Sequence, residues 1–273
     1  GLPAWAFPAW QGRYFPSERS PLDGYARVFN TVEGNTTFNR VPDGDSVNAW
    51  RKTVAGRDFR FCFKLPREVT HERTANGRVL ADFLAAIAPL GDHLGPLLVQ
   101  FPAWAGPEYL RELAPLFARL PGERRHVLEV RHPAFFEDPG TLSPILEAHG
   151  LGRVVLDSRP LYQGDRSHPE VARALHEKPD VPVDPAVTNG LAFLRLILHP
   201  EESSNEPWLR EWAGHVAGYL RDGVETWVMI HCPNNAHCPA LAQRFHSLLR
   251  AEPGMSALPE LPPWPVPQQG TLL

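Results

Sequence analysis

Apolar positions along the chain fall into short runs separated by amphipathic stretches. V-F-N-T-V-E (28–33), R-F-C-F-K-L (60–65), L-L-V-Q-F (97–101), H-V-L-E-V-R (126–131), R-V-V-L-D (153–157), A-F-L-R-L-I (192–197) and T-W-V-M-I-H (226–231) read as β-strands. An eighth strand is expected at 2–6. Between them, helices are expected near 45–55, 78–90, 107–119, 142–149, 205–221 and 239–250. The third carries Pro107 in its first turn, where a missing N–H is harmless. Strands alternating with helices imply βαβ units and a parallel sheet. Eight strands in 273 residues predict an α/β fold: a single (β/α)8 TIM-like barrel over residues 1–252, with a Pro-rich extended tail at 253–273. A doubly wound open sheet is the alternative. It is disfavoured because no G-x-G-x-x-G follows the first strand and no Walker-type glycine loop occurs.

Successive side chains on a strand point to opposite faces. Phe61 and Phe63 share one face, leaving Cys62 and Lys64 on the other; Leu128 and Val130 oppose Glu129 and Arg131. Leu194, Leu196 and Leu198 oppose Phe193, Arg195 and Ile197, and Val228 and Ile230 oppose Trp227, Met229 and His231. Glu33, Gln100 and Asp157 extend the pattern. Polar groups are thus expected on an interior face near the C-terminal strand ends, where a barrel builds its active site. The alternative is a buried ion-pair network, which is costly to desolvate and weak as a stability device.

Composition narrows the setting. At 43% hydrophobic and 21% charged, the chain can bury a full core, and a formal charge of −4 argues against a general polyanion-binding surface. Three cysteines (Cys62, Cys232, Cys238) are too few for a disulfide scaffold and point to a reducing compartment. The opening G-L-P-A-W-A-F-P-A-W is broken by prolines and lacks a basic leader, so it is expected as folded chain. No apolar run approaches the roughly 20 residues of a membrane helix. A soluble cytoplasmic protein with no membrane partner is expected.

Six segments then occur in order: V-E-G-N-T-T-F-N-R-V-P, F-R-F-C-F-K-L-P-R-E-V-T-H, P-L-G-D-H-L-G-P-L-L-V-Q-F-P, L-E-V-R-H-P-A-F-F, V-V-L-D-S-R-P and W-V-M-I-H-C-P-N-N-A. Together they resemble the YecE-like family, domain-of-unknown-function family 72, over about residues 1 to 250. I-H-C-P-N-N at the last strand is similar to the YecE-type branch. The resemblance implies a TIM-like barrel and a bacterial cytoplasmic setting, and carries no reaction with it.

Glu33, at a strand end, is a candidate general base or metal ligand, or a salt-bridge partner of Lys64. Gly34 and Asn35 turn the chain behind it. Lys64 is a candidate anion clamp or nucleophilic amine, and His71 an accessible proton donor or an idle histidine. Arg131 suits bidentate carboxylate or phosphate recognition, or pairing with Asp157. The catalytic set expected is Glu33, Glu129, Asp157 and His231. Asn35, Lys64, His71, Gln100, Arg131, His132, Arg159, Arg195, Asn234 and Asn235 are expected to bind substrate. H-C-P-N-N-A-H-C (231–238) matches no usual zinc spacing. No cofactor is named by any motif. A divalent metal on the four catalytic candidates is the alternative, opposed by the nearby cations. Residues 158–190 form a lid over the mouth or a passive insertion. Q-G-T-L-L, from Gln269 to Leu273, loosely resembles a sliding-clamp docking peptide.

The leading expectation is therefore an enzyme performing hydrolysis or other acid/base chemistry on a small polar or anionic substrate at the barrel mouth. The alternatives are a nucleic-acid-binding or endonuclease-like barrel, whose mouth cations grip phosphates, and a barrel that only senses a ligand.

Overall fold

The computed structural model of the chain describes residues 1–72 and 76–264. Its strands are β1 (Thr31–Gly34), β2 (Arg60–Phe63), β3 (Leu97–Gln100), β4 (His126–Glu129), β5 (Leu151–Asp157), β6 (Leu191–Ile197) and β7 (Glu225–His231). The main helices are α1 (Gly44–Val54), α2 (Gly77–Ile87), α3 (Pro107–Phe117), α4 (Ser143–Ala148), α5 (Pro169–Ala174), α6 (Glu206–Arg221) and α7 (Cys238–Ala251).

The closed eight-stranded barrel expected from the sequence is not what this chain builds. Among the described residues, β1 and β2 form one parallel sheet, and β3-β4-β5-β6-β7 form a second that curves as half of a barrel. The architecture is α/β, but not a full TIM barrel. The segment 2–6 fails as a strand because Pro3 has no N–H to donate and a fixed φ. Pairing there stops at Leu2, which bridges Val32, while the Gly1 amine donates to the Val228 carbonyl at 2.7 Å. Isolated bridges, Phe61 to Leu94 and Lys64 to Leu98, tie the two sheets together.

The outward strand faces pack on helices. The rings of Phe61 and Phe63 stack 5.5 Å apart and meet Trp50 of α1 at 6.0 and 5.8 Å. On α6 the buried positions Leu209, Trp212, Ala213, Val216 and Ala217 follow helical spacing. α1 starts where the Asp43 carboxylate accepts from the Ser46 N–H at 2.7 Å, and α2 where Asn76 accepts from Val79 at 3.2 Å. Inside, Cys62, Leu98, Val127, Val154, Leu191, Phe193, Trp227 and Met229 form a separate apolar layer.

Two features place the site. A Cβ on Gly34 would lie 2.5 Å from the Phe63 ring, so β1 can sit this close to β2 only with glycine there. Behind it, the Thr37 hydroxyl bonds both the Gly34 carbonyl (3.0 Å) and the Lys64 carbonyl (2.7 Å), stapling the two strand ends. At the other end of the chain, Trp264 packs edge-on against Tyr14 at 5.0 Å. The clamp-like peptide from Gln269 to Leu273 lies outside the described residues. Among those residues, no helix is long and apolar enough to cross a membrane.

Candidate functional site

Two-residue periodicity carries the interior face upward from the apolar layer. Cys62 is followed on that face by Lys64, Leu98 by Gln100, Val127 by Glu129, Phe193 by Arg195 and Met229 by His231. Each chain thus changes from apolar to polar within one step, at the C-terminal ends of the strands. Glu33 joins this layer from β1.

Arg195 occupies the centre. Its Nε and Nη2 donate to the two oxygens of Glu33 at 2.8 and 2.9 Å, and its Nη1 donates to Glu129. Arg131 Nε donates to the other oxygen of Glu129 at 2.7 Å. Asn35 Nδ2 and His231 Nε2 complete the shell of Glu33 at 3.0 and 3.1 Å. Both glutamates are fully shielded from solvent, and Arg195 is 6% exposed. Burial alone would raise the carboxyls, but the charge of Arg195 and its hydrogen bonds outweigh it. Glu33 lies well below the usual carboxylate range and Glu129 is held at about 2. Burial also lowers His231, so its neutral ring presents the Nε2 proton to Glu33.

The second half of the site holds Lys64, His71 and Gln100. Lys64 is 8% exposed and, among the described residues, no carboxylate lies within salt-bridge distance of it. Its ammonium sits 3.4 Å from the centre of the Phe38 ring. Burial, aided by Arg195 and Arg131 against the opposing pull of Glu129, brings it down to about 7. His71 packs edge-on to Phe38 at 4.7 Å, and its Nδ1 is hydrogen-bonded to the Thr70 hydroxyl at 2.8 Å. Burial and then the charges of Lys64 and Arg131 push its ring down to about 4. Gln100 is buried, and among the described residues its amide makes no hydrogen bond to the protein.

Several expected members stand elsewhere. Asp157 is the main correction: it faces the helices, where its carboxylate takes the Trp212 indole N–H at 2.7 Å and Arg159 at 2.8–3.1 Å. Leu156, the register partner of Arg195, holds the interior position instead. Arg159 also reaches Glu211 at 3.0 Å, so it belongs to that outer cluster. The pairings considered for Glu33 with Lys64 and for Arg131 with Asp157 are replaced by the Arg195-centred set. His132 is spent locally, its Nδ1 accepting from Ala134 at 3.2 Å. Asn234 caps Ala236 and donates to Glu170 at 2.7 Å, and the Asn235 carbonyl accepts from Trp10 at 2.8 Å. With Asp157 turned away, Glu33, Glu129 and His231 face guanidinium groups, a donor set poorly suited to a cation; among the described residues no cluster of His, Cys, Asp or Glu is arranged to hold a metal.

The sequence model of the family described as "Protein of unknown function DUF72" matches residues 1–267. The chain belongs to the DUF72 family. UPF0759 protein YecE of Escherichia coli K12 is 35% identical over 279 aligned positions, covering all of this chain and 98% of that protein; its counterpart in Escherichia coli O157:H7 matches to the same extent. Two solved DUF72 family proteins share the fold. The crystal structure from Thermotoga maritima MSB8 has a TM-score of 0.69 at 23% identity, covering 92% of this chain and 98% of that one. One from Enterococcus faecalis V583 has a TM-score of 0.66 at 19% identity, covering 84% and 93%.

This DUF72 member also brings in Phe38, which the sequence reading passed over. Phe38 ends a one-turn helix after β1, and T-T-F there carried no sign of a cation partner. Lys178, in the insertion after β5, lines a separate cleft with Glu170, Glu177 and Asn234.

Proposed function

We propose that the polar layer at the strand ends is an active site for a small anionic substrate, with Lys64 as the group that moves a proton. The observation that carries this reading is the contrast between the two halves of the site. Arg195, Glu33 and Glu129 saturate one another, whereas Lys64 is buried and, among the described residues, has no carboxylate within salt-bridge distance. A protein gains no stability by desolvating a lone amine, so such a group is a candidate for function.

Acid/base work divides accordingly. A proton-transfer group is most effective with its pKa near the working pH. Glu129 at about 2 and Glu33 well below its ordinary value are weak bases, so their role is to hold Arg195 and, through Glu129, to aim Arg131. Lys64, at about 7, exchanges a proton in the neutral range. Arg131 spends Nε on Glu129, and among the described residues its Nη groups have no partner, an arrangement suited to a two-oxygen contact with an anion. His71 and Gln100 supply further hydrogen bonds. The same cations support a nucleic-acid reading less well, because Arg195 and Lys64 lie in a buried bowl rather than on a face that a duplex could cover.

Thermal shift with a panel of small organic acids and phosphorylated metabolites, run at pH 6 and pH 8 on the wild type and Lys64→Met, tests the reading. Stabilisation is expected in the wild type, stronger at pH 6 where Lys64 is charged, and absent from the variant. Equal stabilisation of both proteins, or of neither, would overturn it.

A further inference from the structure

Three separated segments of chain close on one cleft beside the ends of β5 and β7. Its volume is about 300 Å³, and none of the strand-end polar layer lines it. Phe7 arrives from the N-terminal segment, Glu170 and Lys178 from α5 and the turn behind it, and Pro233 and Asn234 from the turn after β7. Each wall is fixed in place. The Phe7 ring packs on Trp10 at 5.5 Å, and the Trp10 indole N–H donates to the Asn235 carbonyl at 2.8 Å. The Tyr162 hydroxyl donates to the Lys178 carbonyl and the Ser158 hydroxyl to the Pro179 carbonyl, both at 2.6 Å. Asn234 accepts from the Ala236 N–H at 3.0 Å and turns its own NH2 group onto Glu170 Oε1 at 2.7 Å.

Opposite charges share this cleft without neutralising one another. Glu170 and Glu177 balance Arg173 and Lys178, yet among the described residues no ion pair joins any of these four to another. Arg173 and Glu177 are exposed, so water serves them; Glu170 and Lys178 are half-buried. Glu170 Oε2 is shielded from solvent and makes no hydrogen bond. Within ion-pair distance it meets, among the described residues, only His237 Nε2 at 3.7 Å, which is too long for a hydrogen bond. A carboxylate left with such unmet acceptor capacity is costly to hold and calls for a donor.

We propose that this cleft binds a free α-amino acid with an apolar side chain. A carboxylate and an ammonium that line one cleft without meeting leave room between them for a ligand carrying both charges in the opposite sense. The ligand's ammonium answers Glu170 and its carboxylate answers Lys178, each through a charge-assisted hydrogen bond. Because the lining charges cancel, a dipolar ligand suits the cleft better than a simple anion or cation. Phe7, Ala174 and Pro233 supply apolar surface for the side chain. The volume lies at the small end of the range for small-molecule sites, roughly 300–1,000 Å³. This site stands apart from the strand-end layer and does not depend on the anionic-substrate reading.

Calorimetric titration at pH 7 with L-leucine, L-leucinamide and isocaproate tests the proposal, because the second lacks the carboxylate and the third the ammonium. The wild type is expected to bind leucine, and each analogue at least about tenfold more weakly, the loss of one charge-assisted contact. Glu170→Gln and Lys178→Gln should each weaken leucine by about tenfold, while Lys178→Arg should stay within about threefold of wild type. Circular dichroism and the melting temperatures of both glutamine variants verify that they fold. Leucinamide or isocaproate binding as tightly as leucine would overturn the assignment, as would full leucine affinity in either glutamine variant. No binding of leucine to the wild type would bring the proposal down outright.

Discussion

Arg195 of β6 reaches across the interior to Glu33 of β1, gripping both carboxylate oxygens at 2.8 and 2.9 Å. These residues are 162 positions apart, and the contact joins the five-stranded sheet to the two-stranded one. The pair is therefore a fastener between the sheets. Glu33→Gln removes the charge but keeps the shape, leaving Arg195 buried with one carboxylate instead of two. Breaking a buried pair in this way costs about 3–5 kcal/mol. Urea unfolding should show that loss in the midpoint with the slope unchanged. A loss under about 1 kcal/mol would mean the contact is not a fastener.

Lys64 should show the opposite balance. Its amine is desolvated and, among the described residues, no carboxylate lies within salt-bridge distance of it, so the native state bears a cost that an apolar side chain avoids. Lys64→Met is expected to raise stability by about 0.5–2 kcal/mol while abolishing anion binding, the trade-off common at functional sites. A variant that is both less stable and still able to bind would contradict the assignment.

Acid should loosen the protein in two stages. Unfolded Glu129 takes up a proton near its ordinary value of 4.5, whereas folded Glu129 holds out to about 2. Its contribution is thus complete above about pH 4.5 and is lost as pH falls through 2. His71 acts at higher pH. The unfolded ring charges below 6.5 and the folded ring only below about 4, so stability falls across that window as pH drops. Each proton adds a slope of about 1.4 kcal/mol per pH unit. In unfolding curves taken from pH 7 to pH 4, His71→Gln should flatten the decline. An unchanged decline would show that His71 is not held neutral.

Where hydrophobic and polar residues alternated cleanly, the chain could be read in advance. R-F-C-F-K-L separates Phe61 and Phe63 from Cys62 and Lys64, and L-R-L-I does the same for Arg195, because burial on one face and polarity on the other leave a period of two. The strand positions from β1 to β7 follow from such runs. V-V-L-D carries no such signal, since β5 is apolar on both faces, and its parity was assigned one residue out. At 2–6, apolar content suggested a strand that Pro3 does not allow. Lys178 was illegible for another reason. It sits in a polar, proline-rich insertion without periodicity, and hydrogen bonds from Tyr162 and Ser158 hold its backbone and that of Pro179 near the end of β5.

The outward turn of Asp157 yields a test of which carboxylates belong to the site. Its oxygens are committed to the Trp212 indole at 2.7 Å and to Arg159, and Arg159 is in turn held by Glu211. Asp157→Asn leaves an oxygen for one donor but places an NH2 group against either the indole N–H or the guanidinium, so one of the two contacts is lost. A buried hydrogen bond to a charged group broken in this manner costs about 1.5–3 kcal/mol. Because the side chain lies on the helix face, with Leu156 occupying the interior position beside Arg195, affinity for any anion that stabilises the wild type should remain within about twofold, a difference of less than about 0.5 kcal/mol. Trp212 supplies an independent readout, since losing its partner alters the near-ultraviolet circular dichroism of the buried indole. A variant that keeps its stability and its Trp212 signal but loses anion binding would return Asp157 to the bowl, and with it the four-residue catalytic set that the strand-end pattern first suggested.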